Sequence, residues 1–306
     1  SGIQKLENAG YEVITTNVAQ DQLEDYINKN DISVLLVRSA TTARKELIDN
    51  CPGLKIIGRG GVGMDNIDVT YAQEKGLKVI NTPAASSSSV AELVFAHLYG
   101  GVRFLYDANR NMPLEGETNF KGLKKQYAKG IELRGKTIGI IGFGRIGQEV
   151  AKIAVGAGMN VLANTFSDKK LQSISFNLFD GQTITVDIPI VSKEELLKSA
   201  DFVTVHVPAQ DNYVLSSKEF EIMKKGAAVI NAARGGVIDE VALVNALETE
   251  HISFAALDTF EKEPTPEVVL LMNDKLSLSP HIGAATQEAQ DRIGTELADQ
   301  IIEVLG

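Results

Sequence analysis

Cysteine is nearly missing: Cys51 is the single one in 306 residues. That excludes a disulfide framework and a cysteine-rich metal site, and makes a reducing compartment, the cytoplasm, the expected setting. No apolar run approaches the length that spans a bilayer, and Ser1-Gly2-Ile3-Gln4-Lys5-Leu6 shows neither the basic nor the apolar region of a signal peptide. No membrane partner is expected. His, Cys and carboxylates nowhere cluster at metal-ligand spacing, so no metal is assigned. Positive charge is also short: 30 Lys and Arg stand against 40 Asp and Glu, a formal net charge of -10. This balance argues against nucleic acid as a partner, and an anionic substrate needs a locally basic pocket within a negative field.

What the chain does have is glycine placed after strands. Ile138-Gly139-Ile140-Ile141 runs into Gly142-Phe143-Gly144-Arg145-Ile146-Gly147, and the amphipathic run Val150, Ile153, Ala154, Ala157 begins within a turn. Gly142 permits the tight turn, Gly144 lets backbone N–H groups approach a pyrophosphate, and Gly147 lets the helix pack close to the strand. A nicotinamide dinucleotide is the expected ligand. Gly58-Arg59-Gly60-Gly61-Val62-Gly63 fits the same template after Leu54 to Ile57, but Met64-Asp65-Asn66-Ile67 intervenes before Asp68 can cap a helix. That second loop is read as a nest of N–H groups suited to a small carboxylate.

The length suits two domains. Ser1 is placed to cap a helix over Ile3 to Asn8. Strands are then expected at Tyr11 to Thr15, Val34 to Val37, Leu54 to Ile57 and Leu77 to Asn81, alternating with helices at Gln22 to Asn30, Lys45 to Asn50 and Val69 to Lys75. Ser86 to Ser89 precede a long buried helix, with the serines as its cap. Asn111 to Lys129 reads as a loop or surface arm. Alternation resumes at Thr137, with a β-hairpin around Asp180-Gly181, read as a peripheral insertion, and a last helix over Gln287 to Leu305. Such alternation argues a doubly wound α/β fold with parallel sheets.

Ligands of open parallel sheets sit outside the carboxyl ends of the strands. Three strand ends carry chemistry. Arg234, in Asn231-Ala232-Ala233-Arg234-Gly235-Gly236, suits a carboxylate gripped by two parallel hydrogen bonds. Glu263 follows the next strand, and His281 the one after. A carboxylate on one imidazole nitrogen fixes the tautomer and leaves the other nitrogen to exchange a proton with a hydroxyl or carbonyl. Taken singly, Arg234 also reads as a surface turn residue, Glu263 as solvated loop and His281 as a helix-entry residue. His97, inside an apolar helix, and His206, near a buried strand end, read as packing residues.

The ordered segments Gly142-Phe143-Gly144-Arg145-Ile146-Gly147, Asn231 to Gly236, Leu257-Asp258-Thr259-Phe260 with Glu263-Pro264, and Pro280-His281-Ile282-Gly283-Ala284 resemble the signatures of the D-2-hydroxyacid dehydrogenases. The resemblance covers nearly the whole chain. It implies Arg234 for substrate orientation, His281 as acid and base, and Glu263 as its partner. It places Gly142, Gly144, Arg145, Ile146, Gly147, Thr165, Val207, Ala232, Ala233, Asp258, Gly283 and Ala284 at the cofactor, with Asp258 toward the nicotinamide carboxamide. It also implies a Rossmann nucleotide domain, residues 84–283, inserted into a flavodoxin-like substrate domain, residues 1–83 and 284–306, and a homodimer formed through the nucleotide domain.

Within that family, Val37-Arg38-Ser39-Ala40-Thr41 and Gly58 to Asn66 are similar to segments of the phosphoglycerate dehydrogenases, which open serine synthesis. Val62 and Gly63 are then expected to hold the substrate carboxylate by backbone donors, and Arg38, Ser39 and Arg59 to meet the rest of the small-molecule substrate, the arginines its phosphate. Glyoxylate or hydroxypyruvate reduction, and a cofactor-sensing interaction protein on the same scaffold, are the alternatives. Thr165 stands where the family commonly has Asp, which leaves NADP open with Ser167 and Lys169 near. NAD is favoured because no arginine stands there. The family's first strand is missing before Ile3, which implies an incomplete N-terminus. No regulatory domain follows the last helix, so serine feedback through one is not expected.

Overall fold

Short runs of Val, Ile and Leu, each followed by a polar or glycine-rich turn, form the strands of two parallel sheets. The computed structural model describes residues 1–306. It comprises two compact units, one made of Ser1–Ser89 with Ala284–Gly306 and the other of Val90–Gly283.

The first unit contains α1 (Gly2–Asn8), α2 (Leu23–Lys29), β1 (Val34–Val37), α3 (Lys45–Asn50), β2 (Ile56–Arg59), α4 (Val69–Glu74) and β3 (Lys78–Asn81). Its sheet has the order β1-β2-β3, all parallel. Successive residues of β2 serve opposite faces: Ile57 packs with Leu23, Ile27 and Leu47, and Ile56 with Leu6 and Ile80. A strand buried on both faces reads as a continuous apolar run.

Four local expectations are corrected in this unit. Tyr11 to Thr15 joins no sheet; Tyr11 and Val13 pack partly buried against the Ile56 face without a hydrogen-bond ladder. β2 starts at Ile56, not Leu54, so Gly58 and Arg59 lie in the strand and not in the loop. A Cβ on Gly58 would run into Leu36 and Ile80 of the flanking strands, which is the reason for that glycine. Neither Ser1 nor Asp68 caps its helix through a side chain. The Asp68 carboxylate accepts instead from Arg44 Nη1 and the Lys45 N–H, each at 3.0 Å.

Helix α5 (Ser87–Val102) runs from the first unit into the second, which begins at Val90, and α6 (Leu105–Glu115) and α7 (Phe120–Gln126) follow. Ser87 to Ser89 thus form the first turn of α5 and do not precede it. The segment Asn111 to Lys129 is largely helical where a loop was expected. Pro113 sits inside α6, and the apolar side chains Leu114 and Phe120 are exposed, so no buried stripe marks the period.

The unit continues with β4 (Thr137–Ile141), α8 (Arg145–Gly156), β5 (Asn160–Asn164), the antiparallel hairpin β6 (Leu171–Asn177) and β7 (Thr183–Pro189), α9 (Lys193–Ser199) and β8 (Phe202–Val205). Then come α10 (Ser217–Ile222), β9 (Ala227–Asn231), α11 (Glu240–Glu248), β10 (Ile252–Leu257), a short α12 (Val268–Leu271) not foreseen from sequence, and β11 (Leu276–Leu278). The six-stranded sheet runs β11-β10-β9-β8-β4-β5, all parallel. Ile174 and Ile188 anchor the hairpin in the core on one face. The chain ends in α13 (Gln287–Leu305) of the first unit, which lays Ile293, Leu297 and Ile301 over Ile56 and Ile80.

Strand order reverses at β4. From it the chain steps out to β5 on one side and later to β8, β9, β10 and β11 on the other, which makes the carboxyl ends of β4 and β8 a switch point where a ligand crevice forms.

Candidate active site

The turn after β4 is built by its glycines. Gly142 has φ +94°, and a Cβ there would collide with the His206 carbonyl and lie 3.0 Å from Val207 Cγ1, residues that follow β8. A Cβ on Gly147 would strike the Gly142 carbonyl, so α8 lies tight against the strand. Phe143 is buried and anchors the turn. At Gly144, the N-cap of α8, a Cβ would meet nothing within 4 Å. Exposed backbone, open space and a helix N-terminus coincide, and these residues fit a dinucleotide pyrophosphate. Arg145 beside it is exposed, and Ile146 is half-buried on the core.

Thr165 follows β5 and is partly exposed, and the next residue, Phe166, is fully exposed. The Ser167 hydroxyl accepts from the Lys169 N–H at 3.2 Å. Behind the glycine turn, His206 Nε2 bonds Thr204 Oγ1 at 2.9 Å. The residue keeps some exposed surface, yet its Nδ1 is enclosed without a partner. Burial lowers its pKa to about 3, so the imidazole is neutral.

After β9 the Asn231 side chain folds the turn on itself, accepting from the Ala233 N–H at 3.0 Å and donating to the Arg234 carbonyl at 2.9 Å. Ala232 and Ala233 are buried beneath it. Gly235 must be glycine, because a Cβ would overlap the Phe260 carbonyl of the turn after β10. Gly235 thereby sits against the segment that carries Glu263, and its neighbour Arg234, half-buried, donates from Nη1 to the Ala233 carbonyl at 2.7 Å.

Glu263 and His281 meet directly. Glu263 Oε1 accepts from the Phe260 N–H at 3.0 Å and Oε2 bonds His281 Nδ1 at 2.8 Å. The pair is accessible, at 37% and 43% side-chain exposure, and lines a cavity of about 420 Å³ with Phe260, Pro264 and Leu278. An ionised carboxylate only accepts, so Nδ1 carries the hydrogen and neutral His281 presents Nε2 as a base. His281 is held in the left-handed region, φ +54°, which is rare for a residue with a Cβ. A larger cavity, about 600 Å³, opens at the amino ends of β8 to β11, around Phe202, Ala227 and Lys275. It is remote from these groups and at the wrong end of the strands for a Rossmann ligand.

Asp258, at the end of β10, is 1% exposed. Its Oδ1 accepts from Ser279 Oγ at 2.6 Å and the Ile282 N–H at 2.9 Å, and Oδ2 from the Gly283 N–H at 2.8 Å. Gly283 is buried and Ala284 half-buried. The geometry thus ties Asp258 first to the turn that holds His281.

In the other unit Arg38 and Ser39 follow β1 and are exposed. Asn66, which sequence reasoning passed over, organises this corner. Its Nδ2 donates to the Arg38 and Thr41 carbonyls at 2.7 and 2.5 Å, and its Oδ1 accepts from Arg59 Nε at 3.0 Å. Arg59 Nη1 also reaches the Gly60 carbonyl at 3.3 Å, so its guanidinium is drawn onto its own loop. Val62 is exposed, its carbonyl held by Asn81 Nδ2 at 2.8 Å, and Gly63 is half-buried. Asn66 was one residue in a polar loop; only its burial, invisible in sequence, marks it.

No helix is long and apolar enough to cross a membrane. Residues 95–283 match the family model described as the NAD binding domain of D-isomer specific 2-hydroxyacid dehydrogenases. The chain is 42% identical over 99% of its length to a D-3-phosphoglycerate dehydrogenase of Methanocaldococcus jannaschii, covering 55% of that protein. It is 40% identical over 96% of its length to a hydroxypyruvate reductase of Thermotoga maritima, covering 91% of it. It thus spans about half the length of that phosphoglycerate dehydrogenase and most of the reductase. The D-lactate dehydrogenase of Aquifex aeolicus, solved with NAD and lactic acid, superposes with TM-score 0.77 at 27% identity over 99% of this chain and 91% of that one. With the glycine turn, the Glu263–His281 pair and these likenesses in hand, the chain belongs to the D-isomer specific 2-hydroxyacid dehydrogenase family.

Proposed function

We propose that the chain oxidises D-3-phosphoglycerate to 3-phosphohydroxypyruvate with NAD, the first step of serine biosynthesis. The observation that carries the chemistry is the 2.8 Å bond between His281 Nδ1 and Glu263, at strand ends of the unit that bears the glycine turn. Arg234 orients the substrate carboxylate by paired hydrogen bonds. NAD, when bound, supplies a carbon that accepts hydride from C2 of the hydroxyacid. His281 Nε2 takes the hydroxyl proton as the C2 carbonyl forms, and Glu263 faces the resulting imidazolium. In the reverse direction the imidazolium is the acid. Backbone N–H groups at Val62 and Gly63 add donors for the carboxylate, and Arg38, Ser39 and Arg59 form the phosphate-binding group. Asp258 and Gly283 contribute to the nicotinamide pocket, and Thr165 faces the adenosine ribose.

A homodimer through the nucleotide unit is part of this reading. Leu105, Met112, Leu114 and Phe120, on α6 and α7, are all exposed, and exposed apolar side chains close together in sequence suit burial against a second copy.

Reduction of hydroxypyruvate or glyoxylate is the second reading, favoured by the reductase relative of nearly matching length. Initial rates with NADH and NADPH across phosphorylated and unphosphorylated 2-oxoacids separate the two. Arg38→Ala is expected to raise KM for the phosphorylated acid at least tenfold and to leave KM for glyoxylate within twofold, as a charged contact of about 1.5–3 kcal/mol requires. Equal effects on both acids contradict the phosphate assignment.

A further inference from the structure

Behind the His281 turn lies a buried polar chain whose end at Asp258 belongs to the proposed nicotinamide pocket but whose other members, Ser277, His97 and Ser279, the proposed reaction does not use. His97, on α5, is 7% exposed and has both ring nitrogens engaged, Nδ1 with Ser277 Oγ at 2.8 Å and Nε2 with Ser279 Oγ at 2.9 Å. Ser279 Oγ lies 2.6 Å from Asp258 Oδ1, which also accepts from the Ile282 N–H while Oδ2 accepts from the Gly283 N–H.

These contacts fix every proton. A hydroxyl has one hydrogen, and the short bond to a carboxylate claims that of Ser279. Ser279 Oγ must then accept from His97, so Nε2 carries the hydrogen and Nδ1 accepts from Ser277. Burial lowers the pKa of His97, against the opposing charge of Asp258, and keeps the ring neutral. The chain therefore runs one way, Ser277 to His97 to Ser279 to Asp258, and ends on two backbone N–H groups just past His281. Ser279 itself stands two residues before His281, and its carbonyl accepts from the His281 N–H at 3.1 Å. The turn is gripped on both sides of a residue whose φ of +54° needs such over-determination.

We propose that His97 is a positioning residue. Acting through Ser279 and Asp258, it holds the 279–283 turn so that His281 keeps its left-handed backbone and its bond to Glu263; the kinetic part of this rests on His281 being the proton-transfer group. A core histidine that merely satisfies its hydrogen bonds would affect stability alone.

Selective ¹⁵N-histidine NMR on the intact chain tests the chain without any turnover. His97 is expected as the neutral Nε2–H tautomer at pH 8, as the hydrogen-bond chain requires; an Nδ1–H tautomer overturns the proposal. Ser279→Ala cuts the chain and is expected to shift the His281 ¹⁵N titration by at least 0.3 pH unit. It should also lower kcat about tenfold or more with KM within twofold, since small misplacements of a reacting group cost about that much. Ser279→Thr, which keeps the hydroxyl, is expected to restore both. His97→Leu should reproduce Ser279→Ala; if it does not fold, the Ser279 pair and the tautomer carry the test. A lowered Tm in Ser279→Ala with the His281 titration unmoved overturns the positioning role. A moved titration in a protein without dehydrogenase activity upholds it and defeats the functional reading instead.

Discussion

Replacing Glu263 by Gln changes one heavy atom and is expected to be worse than removing the side chain. Glu263 serves two donors, the Phe260 N–H at Oε1 and His281 Nδ1–H at Oε2. A carboxylate does this with both oxygens, but an amide has only one acceptor. If its oxygen stays on Phe260, the NH₂ group faces Nδ1, and His281 responds by moving its hydrogen to Nε2. Nε2 then cannot accept the substrate proton. General base catalysis is worth about 10²–10⁴ in rate, so kcat for hydroxyacid oxidation should fall by that factor, about 3–5 kcal/mol of barrier. Glu263→Ala frees His281 to adopt either tautomer and should retain more activity than Gln. NADH affinity, read by fluorescence, should stay within twofold in both variants. Steady-state rates at pH 8 decide the matter, and a Gln variant with more than about a third of wild-type kcat, or one more active than Ala, refutes the assigned tautomer.

The glycine turn offers a contrast. Gly144→Ala adds a Cβ into open space and should leave Tm unchanged while weakening NADH binding about tenfold or more, since it blocks backbone approach to the pyrophosphate. Gly142→Ala, at φ +94° and against the His206 carbonyl, should lower folding stability by about 1–3 kcal/mol; denaturant unfolding separates the two. Acid should destabilise the fold through His206. Its folded pKa, lowered by burial to about 3, lies below the ordinary 6.5, so stability present above pH 6.5 is lost as pH falls toward 3. Between pH 7 and 5 the loss is about 2 kcal/mol, and urea titrations of wild type and His206→Leu should differ in slope by that amount. His97, lowered in the same direction, leaves a residual slope in the variant. Equal slopes show that His206 is not buried as a neutral ring.

Much of this was legible because parallel sheets leave a plain signature. Ile138 to Ile141 followed by three glycines, and the alternation of Ile174 and Phe176 with Ile184, Val186 and Ile188 about Asp180-Gly181, gave β4, α8 and the hairpin directly. The Glu263–His281 pair was readable as two residues at neighbouring strand ends. What was not legible depends on contacts remote in sequence. Gly58 looks like a loop glycine until Leu36 and Ile80 close over it. Helices α6 and α7 escape because exposed Leu114 and Phe120 break the amphipathic period. His97 passes for packing because its partners lie 180 and 182 residues away, a separation that periodicity cannot span.

The most direct test of the central claim follows one atom. D-3-phosphoglycerate carrying deuterium at C2 is incubated with NAD and the protein, and the reduced nicotinamide is analysed by mass spectrometry and NMR. The expected result is NADH with deuterium at C4, formed from the D isomer and not the L isomer, and abolished in His281→Ala. Reduced cofactor without deuterium, equal use of both isomers, or an undiminished rate in His281→Ala would contradict it.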